Sequence, residues 1–405
     1  MRTYSFFSII LLCLGIFIVD VLAFYWLKSI TQYFSSGTLK IVIDIAFWFF
    51  TVGLIVAILV LKIRLAYIGP RRKQLLVSSL YGLTVSSFLP KLIFVIIISG
   101  LYLTNFVFSE KESLIIVPIL GLFSGFLPFF MIVYAILKGI YKFKIHTIHL
   151  NFNELPKEFV GLRIVHISDI HLGSFNARYP IFNRAVDLIN DLEPDFIFFT
   201  GDLVNNFATE LHGWKPTFNQ LRAKRGKYSV LGNHDYGDYS EWKSEKEKEL
   251  NFERIKRFHE EIGFQLLLNA SEILTIKESE IAIVGVENWG APPFKQYGDL
   301  KKALSNVHDI PFKILLSHDP SHWSEEVVSK TDISLTLSGH THGMQAGIQF
   351  KSKKWSPIKY KYKHWAGLYQ LGRQYLYVTR GLGWLGFPGR LGMRPEITNI
   401  IFSDH

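Results

Sequence analysis

The sequence predicts a two-part architecture: an α-helical membrane domain over residues 1–145, then an α/β domain over residues 146–405. Two patterns carry that reading. The first 145 residues are almost continuous apolar sequence broken by short polar loops, and the remainder alternates short apolar runs with amphipathic stretches. Charge divides the same way: residues 1–145 hold 13 Lys and Arg against 4 Asp and Glu, and the rest holds 31 against 30. The basic excess therefore belongs to the membrane part, and no nucleic-acid partner is expected. The single cysteine, Cys13, sits inside an apolar run, so an intrachain disulfide and a thiolate metal site are both excluded.

Four stretches are long and apolar enough to cross a bilayer as helices, at about 5–27, 41–62, 87–108 and 114–137. The first is too long for a signal peptide and no small-residue cleavage site follows it, so it reads as an uncleaved anchor. Loop charges set the orientation. Lys62, Arg64, Arg71, Arg72 and Lys73 follow the second span, and Lys138, Lys142 and Lys144 follow the fourth. The positive-inside rule then puts the N-terminus and everything after residue 140 in the cytoplasm, as expected of a multi-pass protein of the cell's inner membrane. Asp20 and Asp44 fall within spans, near their outer ends. An interfacial or helix-pairing role is expected, with a proton or substrate path as the alternative.

Beyond residue 160, the runs 162–168 (LRIVHIS), 195–200 (DFIFFT), 227–232 (KYSVLG), 281–287 (IAIVGVE), 312–318 (FKILLSH), 333–339 (ISLTLSG) and 374–380 (QYLYVTR) read as buried strands. Residues 178–192 and 240–262 read as helices between them, an α/β layout with parallel pairing. Five of these strands end in polar groups: Asp169-Ile170-His171, Gly201-Asp202 through Asn205, Gly232-Asn233-His234-Asp235, Ser317-His318 and Gly339-His340-Thr341-His342. Ligand sites of α/β sheets gather at carboxyl ends of strands, so the groups are expected on one rim. Residues two apart in a strand point the same way, which would aim Asp169 with His171, and His340 with His342, into one cavity. Carboxylate and imidazole donors suit Mn, Fe, Zn or Co. Seven such groups are too many for one tetrahedral ion and fit two that share a bridging carboxylate.

That ordered set, D-x-H, G-D-x-x-N, G-N-H-D, H and G-H-x-H, resembles the calcineurin-like metallophosphoesterase superfamily over about 160–405. The resemblance implies an α/β sandwich of two packed sheets flanked by helices, and two divalent metal ions. It implies Asp169, His171 and His342 on the first ion, Asn233, His318 and His340 on the second, and Asp202 bridging both. Water activated between the ions would attack phosphorus in line. His234 would contact the phosphate and protonate the leaving oxygen, with Asp235 orienting its ring. Asn205 departs from the Asp often found there, which implies a tuned site rather than a lost metal. "YVTRGLG" (377–383) and "RPEIT" (394–398) resemble a membrane-associated branch that includes YkuE-type and YaeI-type bacterial phosphoesterases. That likeness implies a phosphodiester or pyrophosphate substrate, lipid-linked in some cases, such as UDP-2,3-diacylglucosamine.

Arg380, ending a strand at the same rim, is a candidate phosphate contact, with an ordinary ion pair as the plain reading. Asn205 is a second candidate substrate contact. His166, His322 and His364 read as structural. Residues 351–365 are basic and aromatic, and read either as a solvated loop or as a segment resting on the anionic leaflet, with Trp355, Tyr360, Tyr362 and Trp365 at headgroup level. Trp384, Leu385 and Phe387 read as lining an acyl-chain cleft or as packing. Two other functions stay open at this point: a phosphoesterase for a soluble nucleotide or phosphoprotein that is merely tethered, and a membrane sensor or transporter regulated by the domain below. The complete ligand set disfavours a silent binding module.

Overall fold

Four long helices begin the chain: α1 (Phe6–Thr31), α2 (Gly37–Arg64), α3 (Pro70–Leu103) and α4 (Glu110–Leu137). They belong to a computed structural model that describes residues 5–64, 67–103, 110–176, 181–292, 294–350 and 353–404. Of the expected elements, 104–108, 178–180 and 351–352 lie outside the described residues. Each helix has a stretch long and apolar enough to cross a membrane. The third apolar stretch is Leu76–Leu103, beginning well before the expected residue 87. Its early turns are rich in Ser and Thr, which lowers their hydropathy. Their hydroxyls nevertheless bond back to the helix, Thr84 to Leu80 O at 2.8 Å and Ser86 to Gly82 O at 2.6 Å. Arg72 and Lys73 thus fall in the first turn of a helix rather than in a loop.

Asp20 is fully buried and joins three helices. Its Oδ2 accepts from Thr51 Oγ1 of α2 at 2.5 Å and from Lys91 Nζ of α3 at 2.8 Å. The Lys91 ammonium also lies 4.5 Å from the centre of the Phe47 ring. This is the helix-pairing role, and Lys91 is a partner that the sequence did not single out. Asp44 pairs with Lys28 at 2.6 Å in a more exposed setting.

The chain divides into two compact units, Arg2–Leu137 with Gly386–Gly389, and Lys138–Leu385 with Arg390–His405. In the second, one six-stranded sheet has the order β1 (Lys144–Leu150), β14 (Glu396–Phe402), β2 (Arg163–Ile167), β3 (Phe196–Phe199), β4 (Gly226–Ser229) and β5 (Gln265–Leu266). The other has the order β12 (Gly367–Leu371), β13 (Gln374–Val378), β9 (Leu335–Ser338), β8 (Lys313–Leu316), β7 (Ser279–Gly285) and β6 (Ala270–Ile276). A hairpin, β10 (Ile348–Phe350) and β11 (Lys353–Trp355), stands apart. β1 starts at Lys144, two residues before the expected domain boundary, because its pairing with β14 belongs to the sheet.

The strands read from the sequence pair in parallel, as expected: β2 with β3 and β3 with β4, and β7, β8, β9 and β13 in succession. The sheets are mixed, however, since β14, β6 and β12 pair antiparallel with β2, β7 and β13. Alternation along the strands sorts side chains to two faces. Ile164, Phe196, Phe198, Ile283, Ile314, Leu316, Leu335 and Leu337 meet between the sheets. Their neighbours Val165, Ile167, Ile197 and Phe199 pack outward on α5 (Ile181–Asn190), α6 (Lys215–Phe218) and α7 (Glu245–Glu261), the last started by Ser244 as N-cap. Val284, Leu315, Leu376 and Val378 pack on α8 (Leu300–Leu304) and Trp323. The result is a two-sheet α/β sandwich flanked by helices.

Candidate metal centre

All five polar strand ends converge at one rim shared by both sheets. β2, β3 and β4 deliver Asp169 and His171, Asp202, and Asn233 to Asp235, and β8 and β9 deliver His318, then His340 and His342. None of these residues lies within a strand. Each sits just past a strand's last residue, and Asp169, His171, Asp202, His340 and His342 all have positive φ, between 50° and 70°. The period-two argument for pairing 169 with 171 and 340 with 342 therefore does not apply. Left-handed turns aim these side chains instead, a conformation that non-glycine residues hold only when the surroundings enforce it. Gly232 and Gly339 make room, since a Cβ on either would stand 2.2 Å from a carboxylate oxygen of Asp202 or Asp169.

Two buried groups have donor atoms within 4.8 Å of one another: Asp169 with His171 and His342, and Asp169 with Asp202 and His318. His171 Nε2 and His342 Nε2 stand 3.0 Å apart, and His342 Nε2 is 3.3 Å from Asp169 Oδ1. Asp202 Oδ2 lies 3.4 Å from His171 Nε2 and 3.3 Å from His318 Nε2. His340 joins neither group. Its Nδ1 faces Asn233 Oδ1 at 2.8 Å and its Nε2 meets Tyr362 Oη at 2.7 Å. The two histidines of G-H-T-H thus aim at different neighbours.

Surrounding bonds preset the donors. His318 Nδ1–H donates to Thr200 O at 2.7 Å, leaving the buried Nε2 to face Asp202 Oδ2. Asn233 Nδ2 donates to Tyr239 Oη at 2.8 Å, which turns its Oδ1 inward. Burial raises Asp169 to about 7, with Asp202 adding repulsion against the pull of His318. Burial alone would lower His318, but Asp202 and Asp169 beside it raise it to about 10. Burial holds His171 down near 3. Two closely set buried carboxylates and imidazole nitrogens aimed at one another have the charge and lone pairs that a divalent cation satisfies, and oxygen-plus-imidazole is a donor set such cations accept.

His234 Nδ1–H donates to Asn205 O at 2.8 Å, and the ring packs on Tyr239 at 4.6 Å between centroids. Asp235 does not orient that ring as expected. Its two oxygens accept from the backbone N–H of Asp202, Leu203, Val204 and Gly232 at 2.9–3.2 Å. A carboxylate following its turn so closely is in reach of the β3 and β4 loop amides, and it pins those loops together. The Asn205 backbone takes the orienting role, while its side-chain Nδ2 donates to Ser174 Oγ at 3.1 Å. Asn205 is in turn held by buried Glu210, which accepts from the N–H groups of Asn205, Asn206 and Phe207 at 2.6–3.2 Å.

Arg380 is a correction too. It is buried, its Nη1 pairs with Glu396 and its Nη2 donates to Gln349 Oε1 at 3.0 Å, so it is a structural ion pair and not a phosphate contact. The arginine at the centre is Arg390, buried with Nη2 3.2 Å from His342 Nδ1 and 2.8 Å from Arg380 O. The "YVTRGLG" segment passes behind the site as backbone: Leu382 N donates to Ser168 O at 2.9 Å and Gly383 N to Asp169 O at 2.7 Å. Trp384 is buried in the core beside Phe175, which rules out an acyl-cleft role for that ring. His166, His322 and His364 bond to Thr200, Ser317 and Ser324, structural as expected. Tyr239, Glu210 and Arg390 were missed, and Tyr362 was expected at headgroup level instead, since none of them lies in a long helix or a strand whose periodicity would place it.

Residues 162–344 match the calcineurin-like phosphoesterase family, and residues 2–140 match a family described as a probable calcineurin-like phosphoesterase transmembrane domain. The chain is 33% identical over 260 residues to the uncharacterized metallophosphoesterase YkuE of Bacillus subtilis, covering 62% of this chain and 82% of YkuE. It is 30% identical over 282 residues to a transmembrane protein with metallophosphoesterase domain from Danio rerio, covering 67% of this chain but only 60% of that longer protein. Phosphodiesterase YaeI of Escherichia coli is 26% identical over 239 residues, covering 59% of this chain and 81% of YaeI. With its metal-ligand motifs at one rim and an alignment that covers most of YkuE, this membrane protein belongs to the calcineurin-like phosphoesterase family.

Proposed function

We propose that the protein hydrolyses a phosphodiester or pyrophosphate bond of a lipid-linked substrate, such as UDP-2,3-diacylglucosamine, at a centre of two divalent cations on the cytoplasmic face of the inner membrane. The observation that carries this is the convergence of seven oxygen and imidazole donors from five strand ends. Asp169, His171 and His342 would hold one ion (Mn, Fe, Zn or Co), Asn233, His318 and His340 the other, and Asp202 both. Such ions polarise a phosphoryl group and acidify the attacking water. The protein's own part is positional. Asp235 locks the loops that carry Asp202 and Asn233. Because the Asn205 carbonyl holds the His234 Nδ1 proton, Nε2 is the atom left to bind phosphate and pass a proton to the leaving oxygen. The four spans supply the membrane attachment, and the lysines and arginines after the second and fourth supply the orientation.

The test uses the full chain in lipid nanodiscs with Mn²⁺, comparing bis(p-nitrophenyl) phosphate with UDP-2,3-diacylglucosamine. Asp202→Ala and His340→Ala are expected to abolish both activities, and turnover surviving either change overturns the metal assignment. His234→Ala is expected to cost about 10²–10⁴-fold on a third substrate, a phosphodiester with an alkyl leaving group, and much less on bis(p-nitrophenyl) phosphate, whose p-nitrophenolate needs no proton. A kcat/KM for the lipid substrate no higher than for the soluble one would remove the lipid reading.

A further inference from the structure

We infer that the β10–β11 hairpin and the loop after it form a docking surface for anionic phospholipid headgroups. The segment turns large apolar side chains to the outside: Ile348 is 68% exposed, Phe350 70%, Trp355 43% and Tyr360 78%. Lys353, Lys359, Lys361 and Lys363 are exposed among them. From residue 333 to residue 395 the chain has ten Lys and Arg and not one Asp or Glu, although the domain as a whole is nearly neutral. An apolar ridge alone would suit a protein partner. A ridge of Trp, Tyr and Phe set among lysines, in a stretch with no carboxylate, suits a layer of phosphate headgroups over acyl chains. The rings settle at the boundary, and lysine stems lie along it with their ammonium groups in the headgroup layer.

The structure divides this segment into an outer and an inner side. Tyr362 and Trp365, expected at headgroup level, are buried. Tyr362 Oη bonds to His340 Nε2 at 2.7 Å, Trp365 O accepts from Thr341 Oγ1 at 2.7 Å, and Ser356 Oγ donates to Gly343 O at 2.9 Å. The base of the hairpin is tied as well, through Gln349 to Arg380. One short stretch therefore faces outward with lysines and rings and inward against the turn bearing His340 and His342. A bilayer held by the outer side stands next to the metal centre without entering it, which is where a phosphate on a lipid headgroup is presented.

The test is optical and needs no turnover, so its failure leaves the phosphoesterase reading untouched. In the full chain with Cys13→Ser, Phe350→Cys carries an environment-sensitive NBD label, and Glu253→Cys on α7 carries the same label as a reference. Nanodiscs of phosphatidylcholine alone are compared with discs of equal parts phosphatidylcholine and phosphatidylglycerol. The label at 350 is expected to brighten and shift to the blue in the anionic discs only, and to revert in high salt. The label at 253 is expected to stay in water throughout. Each lysine at such a surface is worth about fivefold in the docking equilibrium, so Lys359→Glu with Lys363→Glu is expected to weaken docking by at least about 30-fold with an unchanged melting temperature. Equal emission in both discs overturns the proposal. A blue-shifted label in lipid-free detergent also overturns it, since the ridge is then covered by protein.

Discussion

At the scale of single residues, the centre is built from conformations the chain would not adopt alone. Five of the seven proposed ligands hold positive φ, and each such residue costs on the order of 1 kcal/mol or more against an extended one. The packing that enforces them is tight: a Cβ at Gly339 would stand 2.1 Å from Ser168 Oγ and 2.2 Å from Asp169 Oδ2. Gly339→Ala is therefore expected to displace the Asp169 carboxylate and abolish metal retention, while leaving a folded chain that melts several degrees lower. Metal content by mass spectrometry checks this, and a fully loaded variant contradicts the strained-turn account. The ligand types and their order were legible in the sequence because motifs survive as short strings. The Asp235 role was not legible, since a carboxylate beside a histidine reads the same whether it faces the ring or four backbone amides.

At the scale of elements, β13 and β14 meet around a buried ionic knot. Glu396 at the start of β14 accepts from Tyr377 Oη at 2.5 Å and Thr398 Oγ1 at 3.0 Å and pairs with Arg380. Burial alone would raise its carboxyl, but Arg380 and His146 outweigh that and hold it near 2. A depressed carboxyl adds stability that is fully present above its unfolded value, near 4.5, and is lost as pH falls toward 2. Glu396→Gln leaves the buried Arg380 guanidinium unpaired and is expected to cost about 3–5 kcal/mol at pH 7. The gap in melting temperature between wild type and variant should close as pH drops from 4.5. A gap that stays constant would mean the knot is not ionic. Element type was legible where strands are parallel and apolar, throughout in β3 and in all but the first residue of β8. The edges β1, β6 and β12 were not, because exposed strands carry mixed polarity, and the partner of β1 lies about 250 residues away in β14.

At the scale of the whole domain, the proposed ligands come from two sheets: Asp169, His171, Asp202 and Asn233 from one, His318, His340 and His342 from the other. A cation held between them adds a link across the sandwich at its rim. Chelation is expected to lower the melting temperature by several degrees and to speed amide exchange most at the ends of β2, β3, β8 and β9, with the far ends unchanged. Uniform exchange across the sandwich would show that metal adds nothing to the joint. The pairing order carries a consequence for synthesis. β1, the first strand made, is separated from β2 by β14, the last, with Lys144 in register with Glu396 and Leu150 with Phe402. Until β14 leaves the ribosome, that gap stays open and the helices are already available to the membrane. The domain thus closes like a zip whose last tooth is β14, so a chain lacking that one strand should be recognisable to the cell's proteases as unfinished.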